Sequence, residues 1–257
     1  MEKIETIQEN ENPLNNILFV VLLNRNESFG VRAPYDLNVM GKKMWEWVAL
    51  AGDGATIKST PCTEESDILT LIKPFVKNEE YTMVFYSDTP LLSRASVIEI
   101  LEYVKSKDLN VLKLARGYVF NSEYLLNCES ILATENKLFD GEEFEKIDSF
   151  EKLEKVNIKL RDMILNFHME NGVYIKDKNS TFIDADVVIE KGVVIEPNNI
   201  ITGQSYIGEK TILESNNIIK ESIISNNVIV KSSYVSNSRI SENMIVGPFE
   251  SVINKNC

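Results

Sequence analysis

The sequence predicts an α/β domain followed by a parallel β-helix, and three observations carry that prediction. Up to about residue 170, continuous apolar runs alternate with segments of helical spacing. From 148 to 171 a stretch without Gly or Pro reads as one long helix. Beyond Gly172 apolar residues recur every six positions, a beat that fits neither a helix nor an ordinary strand.

The elements follow in order. "NILFVVLL" (16–23) is a continuous apolar run after its first residue, as expected of a strand covered on both faces. "GKKMWEWVALAG" (41–52) sets Met44, Trp45 and Val48 at roughly helical spacing and stops at Gly52. A helix over "SDILTLIKPFV" (66–76), a strand over "YTMVFYS" (81–87) and a helix over "SRASVIEILEYVKSK" (93–107) come next. A strand near "GYVF" (117–120) and a helix near "SEYLLNCESILA" (122–133) complete this half. Such alternation predicts a mostly parallel sheet, in which ligands sit beyond the carboxyl ends of the strands. "MVFYSDTPLLS" (83–93) ends its apolar run at that edge, on Asp88.

In the long helix, Leu153, Val156, Leu160, Met163, Ile164 and Phe167 fall at three- and four-residue steps and read as its apolar face. After it the beat runs through Ile183, Ile189, Ile195, Ile201, Ile207, Leu213 and Ile219, slips by five to Ile224, and continues to Val252. Six residues per side and three sides per coil make a triangular prism, with the periodic residue pointing inward. Residues 182–253 supply about four coils. The expected division is a domain over 1–147, a linker helix over 148–171 and the β-helix over 172–257.

Bulk properties narrow the function. A net charge of −12 argues against nucleic-acid binding, which needs a basic footprint. Cys62, Cys128 and Cys257 lack metal-ligand spacing and read as reduced thiols. The acidic N-terminus is no signal peptide and no apolar run is long enough for a bilayer, so a soluble, cytoplasmic protein is expected, with no membrane partner.

The junction "HMENGVYIKDKNSTFIDADVVIEKGVVIEPN" (168–198), together with the slipped beat ending in "VGPF" (246–249), closely resembles one family. That family is the bacterial bifunctional N-acetylglucosamine-1-phosphate uridyltransferase and glucosamine-1-phosphate acetyltransferase. "YSDTPLL" (86–92) resembles its Gly-Asp-x-Pro-Leu-Leu, "MGKKMWEWV" (40–48) its Gly-Lys-Pro-Met-Leu-x-x-Val, and "GYVFNSEYL" (117–125) the strand and helix after its sugar-binding region. The resemblance implies a shortened nucleotidyltransferase-like (Rossmann-like) domain, then a left-handed β-helix packed as a homotrimer. It implies a nucleotide or nucleotide sugar as ligand and Mg²⁺ as cofactor. Asp88 matches one metal ligand of the family, and Asp148 falls at the second. Asp148 also reads as an N-cap, with Glu151 three residues on.

Departures from the family fall on the chemistry. Nucleotidyl transfer gathers phosphate charge with backbone N–H groups, a protein cation and a metal. Where the family has a Gly-rich loop, this chain has "NRNESFGVRAPYDL" (24–37), with Gly30 alone, Glu27 inside the loop and Tyr35 in place of the lysine. Arg25 and Arg32 are the substrate-binding candidates there; either reads equally as a solvated loop arginine. The uracil-reading Gln-x-x-Gly-Thr has no counterpart in "STPCTEESDIL" (59–69), and the sugar-contact segment is missing between "VLKLA" and "RGYVF". The sole histidine, His168, lies in the linker helix, and the chain ends before the family's acetyltransferase coils, so acetyl transfer is not expected. The expectation is a sugar-1-phosphate nucleotidyltransferase relative with weakened, altered or lost catalysis. A different class stays open beside it, a non-catalytic trimeric scaffold or regulatory subunit in sugar-nucleotide metabolism.

Overall fold

The computed structural model describes residues 12–25, 29, 33–133, 135–137, 139 and 141–256. The chain divides into two units, one of residues up to Leu37 with Lys43–Leu153, the other of Asn38–Lys42 with Glu154 onward.

The first unit is built on a six-stranded sheet. Its strands are β1 (Ile17–Asn24), β4 (Thr56–Cys62), β5 (Tyr81–Tyr86), β6 (Val111–Leu114), β7 (Gly117–Asn121) and β8 (Glu135–Asn136), in the order β4-β1-β5-β7-β6-β8. The short pairs Asn38–Val39 (β2) and Lys42–Lys43 (β3) form a separate ribbon. Strand β1 is buried along nearly its whole length because its alternate residues enter two different cores. Ile17, Phe19 and Val21 pack with Val48 of α1 (Met44–Ala51) and with Val97, Ile100 and Val104 of α3 (Arg94–Lys107). Leu18, Val20 and Leu22 pack with Leu69 and Ile72 of α2 (Ile68–Ile72) and Leu125 of α4 (Ser122–Asn127). Helix α3 is capped by Ser93, whose Oγ accepts the Ser96 N–H at 3.1 Å, and stops where Asp108 turns left-handed at φ 50°.

The sheet is mostly parallel, as expected, with β8 parallel to β6 and β7 the one reversed strand among the described residues. Strands β4, β1 and β5 run parallel, but β7 is antiparallel to both β5 and β6. The β6–β7 hairpin is the cause, since two strands joined by a two-residue turn must run in opposite directions. Strand β4 was not anticipated: "TIKSTPC" is exposed nearly throughout and lacks an apolar alternation. The helix expected over 122–133 ends at Asn127, because the Cys128 N–H closes the last turn on the Tyr124 carbonyl at 2.9 Å with Cys128 itself extended.

Helix α5 spans Phe150–Glu170. Its buried stripe includes Val156, Leu160, Leu165 and His168, while Met163 and Phe167, expected on the apolar face, are 60% and 62% exposed. Leu153, Val156 and Leu160 are buried as expected and Ile164 packs against the core, so the expectation fails only at Met163 and Phe167.

The second unit is a left-handed parallel β-helix. Its three walls are stacked parallel strands, such as Tyr174–Ile175, Val194–Ile195, Ile212–Leu213, Ile229–Val230 and Ile245–Val246 in one wall. All thirteen periodic residues from Ile183 to Val252 are buried. Ile183 pairs with Ile201, Ile201 with Ile219, Ile219 with Val235 and Val235 with Val252, so the slips of five are absorbed without loss of register. Several corners need a left-handed residue, and Asn198, Asn216, Asn227 and Asn243 supply it at φ between 57° and 68°.

Polar columns run inside the prism as well. Asn217 Nδ2 donates to Asn199 Oδ1 at 3.0 Å, and Asn217 Oδ1 accepts the Ser233 N–H at 2.9 Å. Ser205, Ser222 and Ser238 form a second column, each hydroxyl accepting the backbone N–H one coil on. Within "ESNNIIKESIISNN" (214–227), Asn217 and Ser222 are thus buried and bond within one prism. Outward strand positions include the apolar Tyr174, Val188, Ile212 and Ile245, all exposed.

Candidate active site

Strands β1 and β5 end side by side, and their last residues define the site. The Ser87 N–H reaches the Leu22 carbonyl at 2.9 Å, and the Asn24 N–H reaches Ser87 Oγ at 3.1 Å. This holds Asp88 at the carboxyl edge of the sheet, where its sequence position put it. Thr89 closes the turn by donating its hydroxyl to the Tyr86 carbonyl at 3.0 Å.

The Asp88 side chain is 1% exposed, so its charge needs a partner. Arg116 provides it. Arg116 Nε donates to Oδ1 at 3.0 Å and Nη2 to Oδ2 at 2.6 Å, a two-point contact that matches the planes of both groups. Asn24 Nδ2 adds a third hydrogen bond to Oδ2 at 3.1 Å. The guanidinium carbon also lies 4.0 Å from the centre of the Tyr86 ring.

The β6–β7 turn delivers Arg116, and Gly117 permits the approach. A Cβ at Gly117 would stand 2.4 Å from the Val84 carbonyl oxygen, so a side chain there would push the hairpin away from β5. The local electrostatics follow from burial around this pair. Burial raises the Cys62 thiol to about 11, with the Asp88 charge adding to it and Arg116 opposing. Burial likewise raises the Tyr86 hydroxyl to about 12. For Arg116 burial opposes the charge, but the Asp88 hydrogen bonds and charge more than offset it, and its pKa is raised. Cys62 and Tyr86 are therefore neutral near pH 7 and serve as walls rather than as bases.

Asp148 enters from the segment before α5. The Ile147 N–H donates to the Asp88 carbonyl at 3.0 Å, which ties the two segments together through the backbone. The Asp148 carboxylate itself pairs with Lys152 at 3.1 Å. It is not the helix cap: Ser149 Oγ accepts the Lys152 N–H at 3.3 Å and takes that role. Among the described residues no group of three or more His, Cys, Asp or Glu side chains gathers as a metal cluster.

Of the other expected residues, Arg25 leaves the same sheet edge, with its backbone N–H on the Cys62 carbonyl at 2.9 Å and its side chain exposed. Arg32, Glu27 and Gly30 lie outside the described residues. Tyr35 stands in a short 3-10 turn, Pro34–Asp36. A groove of about 370 Å³ opens along Lys113, Leu114, Ala115, Asn136 and Lys137, beside the turn that carries Arg116. Its Lys137 ammonium sits 3.9 Å from the centre of the Tyr103 ring.

Arg116 and Asn24 were not foreseen. Each carries a faint signal in the sequence: Asn24 is the first polar residue after a seven-residue apolar run, and Arg116 is a cation set between two apolar strands just before a glycine.

Comparison with known proteins gives the relationship. No protein-family model matches the chain. The bifunctional protein GlmU of Clostridium kluyveri is 31% identical over 218 residues, covering 81% of this chain and 47% of that protein. The protein of the same name from Clostridium botulinum is 31% identical over 225 residues, covering 74% of this chain and 49% of that one. The chain is a divergent GlmU relative. A share of 81% exceeds either unit alone, so the likeness reaches into both. GlmU of Clostridium tetani reaches 41% identity over a shorter span, 43% of this chain. The chain spans about half the length of the GlmU proteins it matches first. Among solved structures, CMP:2-keto-3-deoxy-manno-octonic acid synthetase complexed with CTP aligns at 13% identity and a TM-score of 0.43, over 57% of this chain and 99% of that one. Among the described residues no helix is long and apolar enough to cross a membrane.

Proposed function

We propose that the first unit binds a nucleotide or a nucleotide sugar at the carboxyl edge of its sheet and performs sugar-1-phosphate nucleotidyl transfer weakly or not at all. The observation that carries this reading is the placement of Asp88 beyond β1 and β5 in a chain 31% identical to GlmU. Arg25 and, beyond the described residues, Arg32 are the cations assigned to phosphate; the groove with Lys113 and Lys137 offers two more. The weakness follows from position 35, where tyrosine supplies no charge to a developing phosphate anion. The reading does not extend to acetyl transfer, since His168 is buried in α5 and no other histidine is present. Mg²⁺ enters only as what the family resemblance implies, and no step is assigned to it, because the Asp88 carboxylate is already engaged by Arg116 and Asn24.

The second unit assembles three copies of the chain into a homotrimer in this reading. The wall with Tyr174, Val194, Ile212, Ile229 and Ile245 pointing outward is apolar along its length, and Tyr174 and Ile245 are 58% and 61% exposed. With −12 charges per chain, an apolar seam is the contact least opposed by repulsion. The same feature favours the second reading, a trimeric scaffold or regulatory subunit without chemistry of its own.

Thermal melts of the full chain against a panel of nucleoside triphosphates and UDP-sugars separate the two. A ligand at 100 times its dissociation constant adds about 2.7 kcal/mol of stability. A shift for at least one of them supports the binding reading, and none at millimolar ligand leaves the scaffold.

A further inference from the structure

We infer that Arg116 is a built-in cation for Asp88, occupying the place a divalent metal would take, so that this site works without a metal ion. The inference concerns only the cation beside Asp88 and holds whether or not the chain binds a sugar nucleotide.

The donor set is the reason. A carboxylate offers four lone-pair directions, and here three are committed: two to the Arg116 fork and one to Asn24. A hard dication needs several oxygen donors in near-octahedral array and brings two positive charges. At Asp88 it would meet an amide N–H and a guanidinium, which present hydrogen rather than oxygen. Its second expected ligand, Asp148, is paired with Lys152. At Asp88 itself the single carboxylate charge is already balanced by the Arg116 guanidinium, so a dication would displace a cation in place rather than fill an uncompensated site.

The arrangement is also anchored independently of Asp88. The guanidinium rests on the Tyr86 ring, and its hairpin is held to β5 by the Gly117–Phe85 pairing. Swinging Arg116 out to admit a metal would forfeit the ring contact as well as both hydrogen bonds. The chemistry such a residue supports is that of a fixed monovalent cation, able to orient an anionic ligand over the sheet edge but unable to hold activated water.

The test uses the full chain and Mn²⁺, read by the loss of its free electron-paramagnetic signal. Wild type is expected to bind no Mn²⁺ through Asp88 below millimolar concentration, and its melting temperature is expected to be the same in MgCl₂ as in EDTA at equal ionic strength. Arg116→Ala uncovers the carboxylate and is expected to gain Mn²⁺ binding by about tenfold or more, lost again in Asp88→Asn/Arg116→Ala. Submillimolar Mn²⁺ binding by wild type that Asp88→Asn abolishes overturns the inference. Binding that persists in Asp88→Asn lies elsewhere and upholds it. A folded Arg116→Ala that gains nothing also overturns it; should that variant not fold, the wild-type and Asp88→Asn titrations decide alone.

Discussion

Arg116 Nη2 lies 2.6 Å from Asp88 Oδ2, and the guanidinium that makes this contact is stacked on Tyr86. The pair joins the β6–β7 turn to the end of β5 across a nearly dry carboxylate. A pair this buried is costly to break from one side, because the remaining charge has no water to turn to. Arg116→Ala is therefore expected to destabilise the first unit by about 3–5 kcal/mol in urea unfolding. Arg116→Met with Asp88→Leu, which removes both charges and keeps the volume, should cost far less. Equal losses in the two variants would mean that packing, not charge, holds the turn.

His168 gives the β-helix unit a pH dependence. Burial alone lowers its pKa, so the folded protein holds it neutral where the unfolded chain takes up a proton. Its contribution is complete above the ordinary histidine value of about 6.5 and declines as pH falls below it, levelling once the folded-state pKa is passed. Urea midpoints measured between about pH 7.5 and 5.5 should fall for wild type and fall less for His168→Gln. Parallel slopes would remove His168 from the explanation and leave it to carboxylates.

Asn217 sits in the middle of the polar column of the prism. It donates to Asn199 Oδ1 and accepts from the Ser233 N–H, so truncation strands groups on two neighbouring coils. Asn217→Ala should cost about 2–4 kcal/mol, from one to two buried polar groups left unpaired. Ile219→Ala, which empties the adjacent apolar column, should cost a similar 2–5 kcal/mol. An exposed corner change such as Asn243→Gly should cost almost nothing, since glycine adopts the same left-handed backbone. A cheap Asn217→Ala would show that water replaces the column.

Assembly is checked by sedimentation equilibrium at micromolar protein, where the expected mass is about three times 29.2 kDa. Ile212→Glu with Ile245→Glu places charges on the outward wall without touching the inward column, and should give monomer with unchanged secondary structure. A monomeric wild type contradicts the homotrimer.

The sequence revealed the β-helix almost completely because each coil repeats one requirement, an inward apolar residue, and Ile183 through Val252 meet it without exception. It also placed Asp88 at the sheet edge, because a buried strand must run apolar until it leaves the core. Arg116 was beyond this kind of reading. Its partner is 28 residues away, and the ion pair exists only because β7 turns back along β5. The role of Asn217 was hidden for a related reason: an amide in a prism column and one on a prism surface look alike until the register is known. Met163 and Phe167 show the opposite failure, since helical spacing alone marks a face without saying which of two overlapping stripes is covered.

The central claim is a GlmU-like fold that keeps ligand binding and has lost most of its chemistry. The measurement that tests it most directly is the rate of UDP-N-acetylglucosamine formation from UTP and N-acetylglucosamine-1-phosphate, with binding of both ligands measured on the same preparation. Loss of one preorganised donor is worth about 10²–10³ in rate, and with Tyr35 for lysine and Glu27 in the loop the expected deficit is at least ~10³-fold. Measurable binding with turnover below about 10⁻² per second, against an ordinary enzyme median of about 10 per second, is the predicted result. Turnover near that median contradicts the account.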